Sequence, residues 1–276
     1  MFILELLKSL LFGIVEGITE WLPISSTGHM ILLNEFLSLN VSEEFWEMFQ
    51  VVIQLGAILA VIVLFFGKLN PFAPSKTAAE KKGTWRLWGL VILAVLPSAV
   101  IGLLLDDWLD EHFYNYITVA VALIVYGVAF ILIEKLRKNQ RTRVERVEDL
   151  TARDALLVGG FQVLAVIPGT SRSGSTILGG MLFGLSRTAA AEFSFYLAIP
   201  TMAGASLLKA VKYFLEGNVP SAQEWVLLGV GCLVAFLVSL LVIRYLMDYV
   251  RRHSFSAFGI YRIVLGILVL GYFLLR

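Results

Sequence analysis

The stretch that decides the fold is Pro168-Gly169-Thr170-Ser171-Arg172-Ser173-Gly174-Ser175-Thr176, which lies between two apolar runs, Phe161–Ile167 and Ile177–Leu185. Proline and glycine interrupt a helix, and serine or threonine caps the next one. An arginine so deep in apolar sequence is unfavourable unless a partner neutralises it. The stretch therefore predicts a break between two short helices, with Arg172 and free backbone N–H groups facing one anion. The alternative is a turn whose arginine pairs with a carboxylate for structural reasons.

The composition places this break in a polytopic membrane protein. Of 276 residues, 58% are hydrophobic and 16% are charged, and the mean hydropathy is +0.83. Globular chains carry about 25% charged residues. A net charge of +1 gives no indication of nucleic-acid binding, and the single cysteine, Cys232, excludes a disulfide within the chain. Six apolar runs are predicted to cross the bilayer: Phe49–Phe66, Leu87–Leu105, Ile117–Ile133, Phe193–Leu208, Trp225–Ile243 and Ala257–Leu275.

A second break lies near the start of the chain. The apolar run Phe2–Thr19 carries charged residues, and Trp21-Leu22-Pro23 interrupts it before the short apolar piece Met30–Leu39. Neither piece is suited to span the membrane, because the first carries charged residues and the second is too short. Together they predict a helical hairpin that enters the membrane and returns, because non-helical backbone at that depth needs a protein-lined or watery cavity.

The two breaks divide the chain into two similar halves. We assign residues 1–135 to a first repeat, 136–153 to a basic cytoplasmic linker and 154–276 to a second repeat, each repeat with one re-entrant hairpin and three spans. Two local matches support this division: Gly13–Glu16 with Gly159–Gln162, and Ser25–Leu32 with Ser171–Leu178 at the same offset.

The charges of the loops predict how the repeats are oriented. The basic loops at 67–86, 134–153 and 244–253 are expected in the cytoplasm, and the acidic loop at 106–115 is expected outside. Each repeat has an odd number of spans, so the two repeats have opposite orientations. The expected fold is an all-α inverted-topology repeat with six transmembrane helices and two re-entrant hairpins that meet near the midplane. Both termini are then outside.

The first break carries two carboxylates at helical spacing. Glu16 and Glu20 are four residues apart and share one helix face. Like charges at that spacing repel each other, which in an apolar helix favours a shared cation or a shared proton. The alternative is that one carboxylate neutralises Arg172.

Hydroxyl groups and a histidine complete the candidate site. His29 is the residue type most often used for proton transfer near neutral pH. Ser25, Ser26 and Thr27 are either helix caps or, next to a base, a source of an activated nucleophile. We expect Ser26 to attack with His29 as base or acid, and Glu16 and Glu20 to hold a metal or orient the nucleophile. The anion-binding set is Ser25, Thr27, Ser171, Arg172, Ser173 and Thr176.

This inventory suits a phosphate or diphosphate group. It contains no P-loop, no dinucleotide fingerprint and no H-E-x-x-H pair. Carboxylates and an arginine fork match phosphoryl chemistry, in which catalysis is mostly positioning and charge neutralisation. The membrane setting predicts a lipid substrate.

Glu16-Gly-Ile-Thr-Glu20, Pro23-Ile-Ser-Ser-Thr-Gly-His29 and the stretch Pro168–Thr176 closely resemble the undecaprenyl pyrophosphate phosphatase family, also known for bacitracin resistance. Looser likenesses are Gln54-Leu-Gly-Ala57 and Glu192-Phe-Ser-Phe195. The resemblance implies hydrolysis of undecaprenyl pyrophosphate to the monophosphate and phosphate on the outer side of the membrane, which recycles the lipid carrier for cell-wall synthesis. It also implies Ca²⁺ or Mg²⁺ as cofactor.

Transport is the competing function class. Inverted repeats with broken helices are typical of secondary transporters, and a flippase for polyprenyl phosphate would use the same anion site. A flippase needs Arg172 but has less use for Ser26 and His29 in one place. The sequence does not give the oligomeric state, and a homodimer is compatible with it.

Overall fold

The fold is all-helical. The computed structural model describes residues 2–113 and 115–275, and within those ranges it has α-helices, two 3-10 turns and one isolated bridge between Val144 and Leu185. In chain order the helices are Phe2–Thr19 (α1), Ser26–Leu37 (α2), Glu43–Val52 (α3), Gln54–Leu64 (α4), Phe66–Leu69 (α5), Ala78–Phe113 (α6), Tyr116–Arg137 (α7), Ala152–Val163 (α8), Arg172–Leu182 (α9), Arg187–Leu215 (α10), Ala222–Arg252 (α11) and Ser256–Leu274 (α12).

Six helical segments of the described chain are long and apolar enough to cross a membrane, which confirms the predicted number of spans. The first is formed by α3 and α4 together, over Glu43–Leu64. The others lie in α6, α7, α10, α11 and α12. These segments leave many large apolar side chains exposed, as helices in contact with lipid do.

The helices extend further into the charged segments than the sequence predicts. The helix α6 already begins at Ala78, inside the segment 67–86 that was expected to be a loop, and it continues to Phe113. Charged residues do not end a helix, and no glycine or proline follows Leu105 before residue 113. The side chains of Asp106, Asp107, Asp110 and Glu111, on which the acidic-loop prediction depends, lie outside the described ones.

Two helical hairpins, α1–α2 and α8–α9, are built from helices that do not qualify as spans. The helices α2, α8 and α9 have 12, 12 and 11 residues, well short of the roughly 20 that a span needs. Both hairpins reverse direction through the same backbone device. Ser25 has φ 74° and accepts a hydrogen bond from the Gly28 N–H, and Ser171 has φ 75° and accepts one from the Gly174 N–H.

The helices of the two halves pack in an exchanged arrangement. The helix α1, from the first half, lies along α11 in the second, and α8, from the second half, lies along α6 in the first. The third spans of the two halves, α7 and α12, pack against each other. An internal two-fold relation requires this exchange. The exchange and the two positive-φ serines are compatible with an inverted repeat, which stays a prediction.

The open ends of the two hairpins lie beside different loops. Phe2 and Asn40, at the ends of the first hairpin, line one small cavity together with Ser221 at the start of α11. The second hairpin begins instead at the basic linker, where Arg143 pairs with Asp154. Burial alone would raise the pKa of Asp154, but hydrogen bonds from Arg143 and Thr151 outweigh it and hold the pKa below its usual value.

Close backbone contacts fix α8 against α6. A Cβ atom at Gly159 would lie 2.2 Å from the Ala94 carbonyl oxygen, whereas one at Gly160 would meet nothing within 4 Å. The contact at Gly159 is with backbone, which cannot rotate away. The packing of α8 therefore depends on the absence of a side chain at this position.

We expect Gly159→Ala to destabilise the protein by about 1–3 kcal/mol, because the added methyl overpacks a backbone contact. Gly160→Ala is the matched control, and it should leave stability unchanged or raise it by up to about 1 kcal/mol through helix propensity. Thermal unfolding of both variants in detergent measures the difference. Equal unfolding midpoints for the two variants would contradict the packing of α8 on α6.

Candidate active site

The two hairpin tips meet inside the bundle. Ser173, at the start of α9, donates a hydrogen bond to the Glu20 carbonyl at 2.9 Å and lies 3.3 Å from the Leu22 carbonyl. Both carbonyls belong to the non-helical segment between α1 and α2, where the helix leaves them without intrahelical partners. The second hairpin thus satisfies part of the polar backbone of the first.

Glu20 joins the candidate nucleophile to the arginine. The Ser26 hydroxyl donates to Glu20 Oε2 at 2.6 Å, and Arg172 Nη2 donates to Glu20 Oε1 at 2.7 Å. All three side chains are largely buried, with Arg172 and Glu20 only 11% and 7% exposed. A hydroxyl, a carboxylate and a guanidinium linked in this way have the chemistry of a nucleophile, a base and an anion-binding group.

Arg172 is held on several sides but keeps donor capacity. Its Nη1 donates to the Ser194 carbonyl at 2.8 Å, and its guanidinium lies 5.7 Å from the centroid of the Trp21 ring. Its Nε–H has no acceptor in the described structure. Thr176, a fully buried residue of α9, contacts the guanidinium of Arg172 only through Ser194. The Thr176 hydroxyl bonds to the Ser194 hydroxyl at 2.7 Å.

Glu16 is the second buried carboxylate. It is 1% exposed, its Oε1 has no hydrogen-bond partner, and it interacts electrostatically with Glu20 and Arg172. Among the described residues no group of three or more His, Cys, Asp or Glu side chains could hold a metal by itself. Two carboxylates do fit a divalent cation whose remaining ligands are phosphate oxygens and water. The orphaned oxygen of Glu16 has the chemistry for such a bond, but Glu16 is not among the residues that line the adjacent cavity.

His29 has partners of its own. Its Nδ1–H donates to the Ser25 carbonyl at 2.7 Å, since a carbonyl can only accept, and Nε2 lies 2.7 Å from the Tyr261 hydroxyl. The two rings are stacked, with an interplanar angle of 2°. The side chain bonded to Ser26 is therefore Glu20, while His29 lies one turn further along α2.

A cavity of 660 Å³ connects this polar cluster to an apolar wall. Its polar end is lined by five of the predicted residues: Glu20, Ser26, Thr27, Ser171 and Arg172. Its other walls come mainly from α6 and α10, with apolar side chains such as Val95, Leu103 and Leu207. A polar end joined to an apolar channel matches a lipid with a charged head group.

Several residues around the cluster were not identified from the sequence. Gln54 was quoted only for its likeness to a family, yet it lines the cavity. Gln162 also lines it and is held by the hydroxyls of Ser98 and Thr201, at 2.7 and 3.3 Å. An arginine inside the last apolar run, Arg262, was the clearest missed signal, because intramembrane charges are rare.

The chain matches a family of known proteins over almost its whole length. Residues 9–268 match the family model described as bacitracin resistance protein BacA. An undecaprenyl-diphosphatase of Enterococcus faecalis is 56% identical over 98% of each chain. Proteins of the same description from Streptococcus thermophilus and Lactiplantibacillus plantarum are 57% and 54% identical, and the alignments cover 98% and 99% of this chain and 94% and 99% of theirs.

Proposed function

Since the chain belongs to the bacitracin resistance protein BacA family, we infer that it hydrolyses undecaprenyl diphosphate to undecaprenyl phosphate and inorganic phosphate. The observation that carries this inference is the chain of bonds from Ser26 through Glu20 to Arg172 at the polar end of the cavity. A transporter of lipid phosphates would need the arginine but would have no use for a hydroxyl held on a buried carboxylate. The chemistry of the cluster thus favours a phosphatase.

The second hairpin binds the diphosphate in this proposal. Arg172 supplies its guanidinium, and the start of α9 supplies the N–H groups that a helix leaves free at its first turn. Ser171 adds a hydroxyl group at the cavity wall. Ser173 donates its own hydroxyl proton to the Glu20 carbonyl and supports Ser171, with the two hydroxyl oxygens 3.2 Å apart. Thr176 acts behind them by holding Ser194, which fixes Arg172.

The first hairpin supplies the base and the nucleophile. Glu20 takes the proton of the Ser26 hydroxyl, the serine oxygen attacks the terminal phosphorus, and the bond from that phosphorus to the bridging oxygen breaks. The leaving group is undecaprenyl phosphate, and the terminal phosphoryl group is then an ester of Ser26. Glu20 gives its proton to the departing undecaprenyl phosphate and so becomes a base again. It then takes a proton from water, whose oxygen attacks the phosphorus of the serine ester. The bond from phosphorus to Ser26 Oγ breaks, Glu20 returns the proton to that oxygen, and inorganic phosphate leaves. Charge neutralisation by Arg172 lowers the barrier of both displacements.

His29 orients the start of α2. Its bond to the Ser25 carbonyl holds the segment that presents Ser26, and Tyr261 fixes the imidazole from the other side. Ser25 caps α2, and Thr27 faces the cavity. Direct attack by a water that Glu20 activates is the alternative to attack by Ser26.

A divalent cation, Ca²⁺ or Mg²⁺, would be held by Glu16 and Glu20. The unpartnered oxygen of Glu16 supports this assignment. When bound, the ion would neutralise charge on the diphosphate oxygens. The chain's own contribution is to keep two carboxylates buried one helical turn apart.

We expect the purified protein in detergent to release phosphate from undecaprenyl diphosphate. Ser26→Ala and Arg172→Ala should each lower kcat/KM by at least about 10³-fold, because each removes a group that acts in the transition state. Ser206→Ala, a buried serine that bonds only to the Val51 carbonyl, is the matched control and should keep nearly full activity. No phosphate release by the wild type would favour the transporter.

The serine ester distinguishes the two nucleophiles. With substrate labelled in the terminal phosphate, acid quenching should trap the label on the wild-type protein and not on Ser26→Ala. Near-normal turnover by Ser26→Ala would assign the attack to water instead.

We expect EDTA to abolish turnover and added Mg²⁺ or Ca²⁺ to restore it. Glu16→Gln keeps the size of the side chain but cannot ionise to bind a cation, so it should raise the metal concentration for half-maximal activity by about 10-fold or more. Glu47→Gln, which changes an exposed carboxylate, is the control and should leave that concentration unchanged. Full activity of the wild type in EDTA would overturn the metal assignment.

The protein is a multi-pass membrane protein, and we propose that its cavity opens to the outer side with the two hairpins entering from opposite faces. In a Cys232→Ser background, Asn40→Cys should react with an impermeant maleimide added to intact cells. Ser75→Cys and Arg141→Cys should react only after permeabilisation, because the basic loops face the cytoplasm. All three positions are exposed. Labelling of Ser75→Cys in intact cells would contradict this orientation.

A further inference from the structure

A second arginine lies directly behind the two hairpin tips. Arg262 is in the middle of α12 and is 0% exposed. All of its hydrogen-bond acceptors are main-chain carbonyl oxygens, and its guanidinium lies 5.5 Å from the centroid of the Tyr126 ring. A buried guanidinium bonded to carbonyls alone has no anion to balance its charge, which is costly for a group that only fills space.

The carbonyls that it binds belong to both breaks. Arg262 Nη1 donates to the Pro23 carbonyl at 3.1 Å, in the first hairpin. Its Nη2 donates to the Gly169 and Thr170 carbonyls, each at 2.9 Å, in the second. Longer contacts, of 3.4 and 3.5 Å, reach the Ala122 and Leu123 carbonyls of α7. One planar side chain therefore ties both broken segments to the α7–α12 pair.

These bonds fix the orientation of a peptide plane at the edge of the cavity. In a trans peptide the N–H points opposite to the C=O, and no peptide bond of the described chain is cis. Because the Thr170 carbonyl points at Arg262, the Ser171 N–H points away from it. Ser171 lines the cavity, and its N–H has no acceptor in the described structure. The N–H is thus free for a ligand on the side opposite Arg262.

The charge of Arg262 also lies close to the start of α9. A Cβ atom at Gly174, in the first turn of α9, would lie 3.1 Å from Arg262 Nη1. The positive end of the helix and the guanidinium therefore act in the same place on an anion in the cavity. Unlike Arg172, whose charge is matched by Glu20, Arg262 has no carboxylate among its hydrogen-bond partners.

We propose that Arg262 is a positioning residue for the diphosphate head group, acting through the backbone. It orients the Ser171 N–H toward the anion and adds a positive charge behind it. The inference rests on the proposed function in one respect, that the anion in the cavity is the diphosphate of the substrate. A role confined to packing α12 would need neither the charge nor the orientation of one peptide plane.

The test compares substitutions that keep the charge or the hydrogen bonds but not both. Arg262→Lys keeps the charge and loses the planar fork, and Arg262→Gln keeps donors and loses the charge. The matched control is Arg187→Lys, which makes the same exchange at the start of α10. Arg187 is half-buried and donates two hydrogen bonds to the Glu134 carboxylate. Binding of methylenediphosphonate is measured from the shift that it causes in the unfolding midpoint of the full-length protein. KM and kcat for the lipid substrate are measured in parallel.

Both Arg262 variants should weaken methylenediphosphonate binding and raise KM by about 10-fold or more, the loss expected for charge-assisted bonds, with a smaller effect on kcat. Arg187→Lys should leave the methylenediphosphonate affinity and KM within about 2-fold of wild type, a change too small to reflect a lost hydrogen bond. A lower unfolding midpoint with unchanged binding and unchanged KM in Arg262→Lys would show that the residue only packs, and would overturn the proposal.

Gly174→Ala tests the same contact if neither Arg262 variant folds. Its methyl group would press on Arg262 Nη1 and on Ser171, so it should weaken binding of the bisphosphonate. Wild-type binding by Gly174→Ala would reject the proposal. Failure of the proposed function gives a different result: a wild-type protein that binds the bisphosphonate in an Arg262-dependent way but releases no phosphate.

Discussion

One buried ion pair, Arg172 with Glu20, joins the tips of the two hairpins across 152 residues of sequence and sets the geometry of the site. Removing two charges from water is expensive, and apolar residues of similar volume would often serve stability as well or better. Here both partners are further satisfied, Glu20 by Ser26 and Arg172 by Ser194. Because this pair does not add stability that apolar packing could not supply, its place in the fold is best explained by chemistry.

The first hairpin depends on the second half of the chain for part of its backbone hydrogen bonding. It reverses direction inside an apolar bundle, where unpaired N–H and C=O groups are costly. Ser173 and Arg262, both from the second half, bind carbonyls of its broken segment, so this tip is satisfied only when both halves of the chain are in place. At the second tip the Ser171 N–H has no acceptor in the described structure, so it remains available to a ligand in the cavity.

Much of this arrangement could be predicted from the sequence, and the exceptions have physical reasons. Hydropathy located all six spans because lipid imposes a strong constraint on composition. It did not give the ends of α6, since charged residues continue a helix beyond the bilayer. His29 was expected beside Ser26 because they are close in sequence, but the Ser25 carbonyl and Tyr261 engage its ring. Arg262 was missed because one charge barely alters the hydropathy of a span.

The two hairpins share a backbone turn but carry different chemical groups. Ser26 and Arg172 occupy equivalent positions, one after the positive-φ serine of each hairpin, and Glu16 is equivalent to Gln162. Two copies of the first tip would bring carboxylates together without a cation, and two copies of the second would hold an anion without a base. Hydrolysis of a phosphoanhydride needs a base and an anion-binding group in contact with each other and shielded from bulk water. The two tips lie in contact, so different residues at matching positions of two similar hairpins are sufficient to give an asymmetric site.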